Sequence, residues 1–306
     1  MARAPLILHH YDLSPFSEKI RVMLGYTGLD WLSVKTSEMP PRPGLAPLAG
    51  GYRRIPVAQS GSDVFCDTRT ITAEIARRSG RAELALEGCG QPVRDFVRDV
   101  DLTIFLACVM STIGPGFNRK AAGGLSLWKT LRLIWDRLLM AAGARTRGVS
   151  PKNARRHVRT HLERLEQMLE QDFLFGDRPN IGDFAAYHGL WFVRKLTRRH
   201  ELEAFPRVTA WMDRIAAFGH GNPREIRPEE ALEIARESEP GTVDDGNDDP
   251  NVGKEVSICP DDYGRTPVTG ELVSQTDSGW IVRRETPETG VVHVHFPRQG
   301  FVIGDG

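Results

Sequence analysis

Ser14 and Ser17 stand three residues apart in the stretch His10-Tyr11-Asp12-Leu13-Ser14-Pro15-Phe16-Ser17-Glu18-Lys19-Ile20-Arg21, where an apolar strand pattern gives way to a helical one. Ser14 suits a helix cap and Pro15 the first helical position, where its missing N–H costs nothing. The unpaired N–H groups of a helix start, together with its dipole, favour negative charge, so a thiolate or carboxylate brought there is stabilised without a metal. In that setting the Ser14 hydroxyl is a hydrogen-bond donor rather than a nucleophile. Ser17 is the second candidate for the same task; Tyr11 and His10 are weaker ones. A serine and proline opening a helix are also what a plain cap looks like, so the assignment depends on residues further down the chain.

Two later sites bear on it. In Gly50-Gly51-Tyr52-Arg53-Arg54-Ile55-Pro56-Val57-Ala58 a proline immediately precedes a strand; a cis Ile55-Pro56 bond and an ordinary edge-strand proline both fit. In Asp67-Thr68-Arg69-Thr70-Ile71 an acid and a hydroxyl open a second helix, again a plain cap unless its position says otherwise. Cys66, Cys89, Cys108 and Cys259 are widely spaced, with neither a Cys-x-x-Cys pair nor zinc-ligand spacing. Reduced thiols are expected, and Cys66 reads as a small buried strand-end residue. His293 and His295 share a strand face but have no third ligand nearby, so no metal is expected.

The elements that hold these residues follow from periodicity. Leu6-Ile7-Leu8 is a buried strand, Phe16, Ile20, Met23 and Leu24 form the stripe of a helix, and Trp31 to Val34 a second strand. Prolines and glycines from Pro40 to Gly51 make an irregular connection, Ser60-Gly61-Ser62-Asp63 a hairpin turn, and the second helix ends near Ser79-Gly80. From Val93 through Val97, Val100 and Phe105 the spacing is helical until Gly114; Trp128 to Leu139 and Val158 to Leu169 give further helices. Phe105, Met110, Trp128 and Trp135 are core positions that also suit an apolar pocket wall. Asn180-Ile181-Gly182-Asp183 reads as a reciprocal helix cap. Residues 237–251 have the composition of an acidic, solvated linker. Beyond them, alternating strands separated by turns predict five short strands and an SH3-like barrel, too small to be stable alone and so expected to dock or to be supported in a dimer. The expected division is 1–82, 88–236, the linker 237–251 and a small β domain over 252–306.

Forty basic residues balance forty acidic ones, with 40% hydrophobic and 26% charged content. No overall charge steers the chain to nucleic acid or an anionic membrane. Neither a signal-peptide pattern nor a run of about 18 apolar residues is present, so a cytoplasmic protein is expected.

Four landmarks in order, Ser-Pro-Phe-Ser at 14–17, Ile-Pro at 55–56, Asp-Thr at 67–68 and Asn-x-x-Asp at 180–183, resemble cytosolic glutathione transferases, closest to the omega-like and zeta-like classes. The likeness spans residues 6 to about 225. It implies an α/β thioredoxin-like domain followed by an all-α domain, glutathione as co-substrate, a homodimer, and no nucleic acid or membrane partner. By that likeness Ser14 activates the glutathione thiol for attack on an electrophilic small molecule. Ile55, before the cis-proline Pro56, offers its backbone to the cysteinyl part, Phe16 joins the binding set, and Asp67 and Thr68 take the glutamyl end. Arg42, Arg53 and Arg54 are the candidates for the glycyl carboxylate, at least two of them expected to be plain surface arginines. Serine at both 14 and 17 argues against disulfide exchange of the glutaredoxin kind. The competing reading is a non-catalytic scaffold of the same fold whose C-terminal β module mediates interactions.

Overall fold

The computed structural model describes residues 4–113, 151–197, 201–243 and 250–306. β1 (Leu6–His10) lies parallel to β2 (Trp31–Lys35) and antiparallel to β3 (Val57–Ser60), which turns at Gly61 into β4 (Asp63–Cys66). The parallel pair is joined by α1 (Pro15–Thr27), while α3 (Thr68–Ser79) follows β4 and packs beside α1. A four-residue α2 (Ala46–Ala49) interrupts the proline-rich connection. This is the thioredoxin-like arrangement. Leu6, Leu8, Ile20, Met23, Leu24, Ile71 and Ile75 are fully buried between sheet and helices, as the 3.6- and 2-residue periods of the sequence require.

The helical half packs on the same core. α4 (Gln91–Asp99) runs into a π turn at Val100–Ile104 and then α5 (Phe105–Ser111), with α6 (Pro151–Met168), α7 (Ile181–Leu196) and α8 (Pro206–Ala216) beyond. The unbroken helix expected from Val93 to Phe105 is therefore split by the π turn, and Asp101 within that turn meets Lys19 of α1 at 3.1 Å. The expected helix from Trp128 to Leu139 lies outside the described residues. α7 starts as the sequence predicts. Asn180 accepts from the Gly182 N–H, and Asp183 accepts in return from the Asn180 N–H. Asp183 does more than cap: its buried carboxylate also accepts from the Leu174 N–H and the Trp211 indole, each at 2.9 Å.

The C-terminal strands depart from expectation. β6 (Glu255–Pro260), β7 (Val268–Gln275), β8 (Gly279–Thr286) and β9 (Gly290–Pro297) form an antiparallel meander, with β10 (Phe301–Asp305) on the far side of β6. They do not close into a barrel. β9 pairs in parallel with β4, through Asp63 opposite His293, Val64 opposite Val294 and Phe65 opposite His295. The result is one open ten-stranded sheet in the order β10-β6-β7-β8-β9-β4-β3-β1-β2-β5, with the short β5 (Pro223–Glu225) at the other end. The physical reason is that β4 would otherwise present unpaired N–H and C=O groups along an edge. Burial reinforces the pairing, because Leu48, Tyr52, Val57 and Val64 share a core with Ile258, Val268, Trp280, Val294 and Phe296. At Gly50 the approach is so close that a Cβ would stand 2.5 Å from the Val268 side chain, which only glycine allows. α9 (Pro228–Arg236) covers this sheet with Ala231 and Ala235.

Among the described residues, no helix is long and apolar enough to cross a membrane, and no three metal-ligating side chains converge.

Candidate active site

Ser14 caps α1 with φ −71°, its Oγ accepting from the Ser17 N–H at 3.2 Å. The same Oγ donates to the Ile55 carbonyl at 3.5 Å, the outer limit of a hydrogen bond. The hydroxyl is thus oriented by a backbone donor while its hydrogen is only weakly engaged, so turning it toward a ligand sulfur gives up little. Pro15 occupies the first helical turn, and the Glu18 N–H donates to the Ser14 carbonyl at 2.9 Å. Ser17 is fully buried one turn in, and its hydroxyl has no hydrogen-bond partner among the described residues. Phe16 packs against Phe105 and His188, with ring centroids 4.5 and 4.7 Å apart, and so joins the helix start to the helical half. Burial pushes the His188 imidazole down to about 4, so it is a neutral packing group.

The Ile55-Pro56 bond is cis, and the Ile55 carbonyl faces Ser14. One residue earlier, the Arg54 guanidinium stands 3.8 Å from the Asp67 carboxylate. Asp67 caps α3 by accepting from the Arg69 N–H at 3.0 Å. It is the one non-glycine at positive φ among the described residues, at 79°. Such a conformation costs about 1–3 kcal/mol and persists where the surroundings impose it. Burial raises the Asp67 carboxyl above its ordinary range, opposed by the Arg54 charge and the Arg69 N–H. Thr68, the first residue of α3, is buried beside it. Ser14, Ile55, Pro56, Asp67 and Thr68 are accordingly brought together, linked through Arg54.

Arg42 stands apart from that group. Its guanidinium donates to the carbonyls of Ser37, Glu38 and Arg53 and so pins the proline-rich connection behind the Arg53-Arg54 backbone. Cys66 is fully buried, and burial pushes its thiol well above the usual range, which leaves it inert. His10 is held between Arg21 and the Ser33 hydroxyl; burial, then the Arg21 charge, pushes it down to about 3. It lines a separate polar cavity of about 460 Å³ together with Asp12, Glu18, Arg21 and Trp31, to which neither Ser14 nor Asp67 contributes. Burial works to raise the Glu18 carboxyl, but His220 and Arg21 hold it below the ordinary range. His293 and His295 lie at the seam between the two halves of the sheet; His295 bonds Asp63 at 2.8 Å and stacks on Phe65.

Sequence reasoning left Arg54 undistinguished from Arg42 and Arg53 as a candidate and gave no sign of its partners. Arg54 pairs with Asp262, donates to the Tyr263 carbonyl, and lies over the Tyr263 ring at 4.1 Å. Nearby, Arg69 donates to Gln299. These partner residues follow strands of the C-terminal half, so the wall of the site beside Asp67 comes from the far end of the chain.

The profile described as "Glutathione S-transferase, N-terminal domain" matches residues 8–83, and "Glutathione S-transferase, C-terminal domain" matches residues 135–214. A GST-like protein from Pseudomonas syringae has a solved structure that is 33% identical. The match covers 99% of this chain and 100% of that one, with a TM-score of 0.81. Poplar glutathione transferase F1 is 13% identical over 75% of this chain and 97% of its own, with a TM-score of 0.51, a likeness of fold alone. A search of the curated proteins returns no match.

Proposed function

Because the chain belongs to the glutathione S-transferase family, we propose that it binds glutathione at the start of α1 and activates its thiol for attack on an electrophilic small molecule. The observation that carries this reading is the Ser14 hydroxyl, held by the Ser17 N–H yet only weakly bonded to the Ile55 carbonyl. A ligand sulfur beside it receives one hydroxyl hydrogen bond and the positive end of α1. Together these lower a thiol pKa from about 8.5 by roughly one to two units, at 1.36 kcal/mol each. More thiolate at neutral pH means faster attack.

Each residue has a defined task in this reading. Ser14 donates to the sulfur. Ile55 and the cis-proline Pro56 present backbone to the cysteinyl part, and Phe16 closes the side toward the helical half. Asp67 takes the glutamyl ammonium, and the Thr68 hydroxyl and N–H receive the α-carboxylate. Arg42 acts at one remove, holding the loop that carries Arg54. The Ser-Pro-Phe-Ser helix start aligns the chain with the omega-like and zeta-like classes, and a homodimer working in the cytoplasm is the corresponding expectation.

Titration calorimetry with reduced glutathione tests the reading. Saturable binding of one glutathione per chain, with conjugating activity toward at least one aryl halide or epoxide, is the expected result. A protein that binds no glutathione at millimolar concentration does not carry out this chemistry.

A further inference from the structure

The C-terminal half reaches the candidate site through polar contacts as well as packing, and the most extensive of them is made by Arg54. Arg54 is nearly buried, and its Nη2 edge is taken by the Asp262 carboxylate and the Tyr263 carbonyl, with the Tyr263 ring 4.1 Å beneath its plane. Its other edge, Nη1, stands 3.8 Å from Asp67 Oδ2. That separation is too long for a hydrogen bond. Asp67 Oδ1 is already committed to the Arg69 N–H. One guanidinium therefore lies between two carboxylates, bonded to Asp262 and merely near Asp67.

On the reading that glutathione binds here, we propose that Asp262 and Tyr263 are positioning residues of the glutathione site: they hold Arg54 off Asp67, so that the Asp67 carboxylate stays available for the ligand's glutamyl ammonium. The geometry makes the consequence of losing them definite. A guanidinium prefers a direct, bidentate carboxylate pair. Released from Asp262, Arg54 has only about 1 Å to move before it closes on Asp67 Oδ2. That pair would cancel the charge the ammonium needs.

The test is a comparison of two ligands, glutathione and N-acetylglutathione, which lacks the ammonium, on the full-length protein and its Asp262→Asn and Tyr263→Leu variants. Their affinities are measured by calorimetry, with folding checked by thermal melts. Wild type should prefer free glutathione by tenfold or more. Asp262→Asn should lose at least fivefold in glutathione affinity while its affinity for the acetylated ligand changes by less than twofold, and Asp262→Glu should restore the preference. Tyr263→Leu should act in the same direction, more weakly, and it also serves if Asp262→Asn does not fold. A purely structural role would weaken both ligands alike and overturns the proposal. Unchanged or tighter glutathione binding in folded variants overturns it too, tighter binding marking Asp262 as a competitor for Arg54. A wild type that binds neither ligand removes the glutathione reading itself, and this inference with it. Wild-type binding that both variants retain removes this inference alone.

Discussion

The two helix starts that face the candidate site are built in opposite ways. α1 begins with Ser14 at an ordinary φ of −71°, its hydroxyl satisfied by the N–H three residues on. Everything it needs lies within one turn of chain. α3 begins with Asp67 at φ 79°, beside an arginine that is itself fixed by Asp262 and Tyr263. The neutral, unstrained end is the one suited to a thiol. The charged, strained end is the one suited to recognising the rest of the ligand. Chemistry that needs one donor at a helix terminus can be written locally, whereas a carboxylate kept partly unpaired and partly buried has to be held by distant parts of the molecule.

If that division holds, the two ends fail differently. Ser14→Ala removes the donor to the sulfur and should lower turnover by about 10²-fold or more, the size typical of losing one preorganised donor, with glutathione affinity within several-fold. Steady-state kinetics alongside calorimetry decide it, and unchanged turnover would transfer the role to Ser17. A third helix start, at α7, sharpens the contrast because its acid serves only the fold. Asp183→Ala leaves the N–H groups of Leu174, Asn180 and Trp211 without their acceptor. It should cost about 3 kcal/mol of stability in denaturant melts, with glutathione affinity unchanged in whatever protein remains folded.

Asp67→Ala should invert the Ser14 result. Glutathione affinity should fall by roughly 10- to 100-fold, the worth of one charge-assisted bond, while turnover at saturating glutathione stays within several-fold. The smallest effect separates strain from recognition. Asp67→Gly relieves the positive φ and should leave stability unchanged or raise it by about 1 kcal/mol, yet lose affinity as Asp67→Ala does. A clear drop in melting temperature for the glycine variant would mean that the Asp67 side chain holds the fold rather than the ligand.

Much of this was legible along the chain because it is local. The Ser14-Pro15 start, the Asn180 to Asp183 cap and the apolar stripe of α1 all depend on residues three or four apart, and the structure places each where periodicity and capping chemistry put it. Four of the five C-terminal strands were also legible one by one, from their alternation; the last, Phe301–Asp305, was counted but not placed. Their destination was not. Alternation says that one face of a strand is buried, but not against what, so the five strands read as a barrel of their own although β9 completes the exposed edge of β4.

What the sequence by itself determined is the set of helix starts, the side chains that cap them and most of the strands, because hydrogen-bonding groups and apolar spacing act over a single turn or pleat. Only the tertiary structure decided which arginine stands beside Asp67. Arg42, Arg53 and Arg54 are equivalent as sequence, yet Arg42 closes a loop through three carbonyls while Arg54 meets Asp67 and, 208 residues further on, Asp262. No local pattern encodes that meeting. It exists because two separate stretches of chain bury their apolar faces in one shared core.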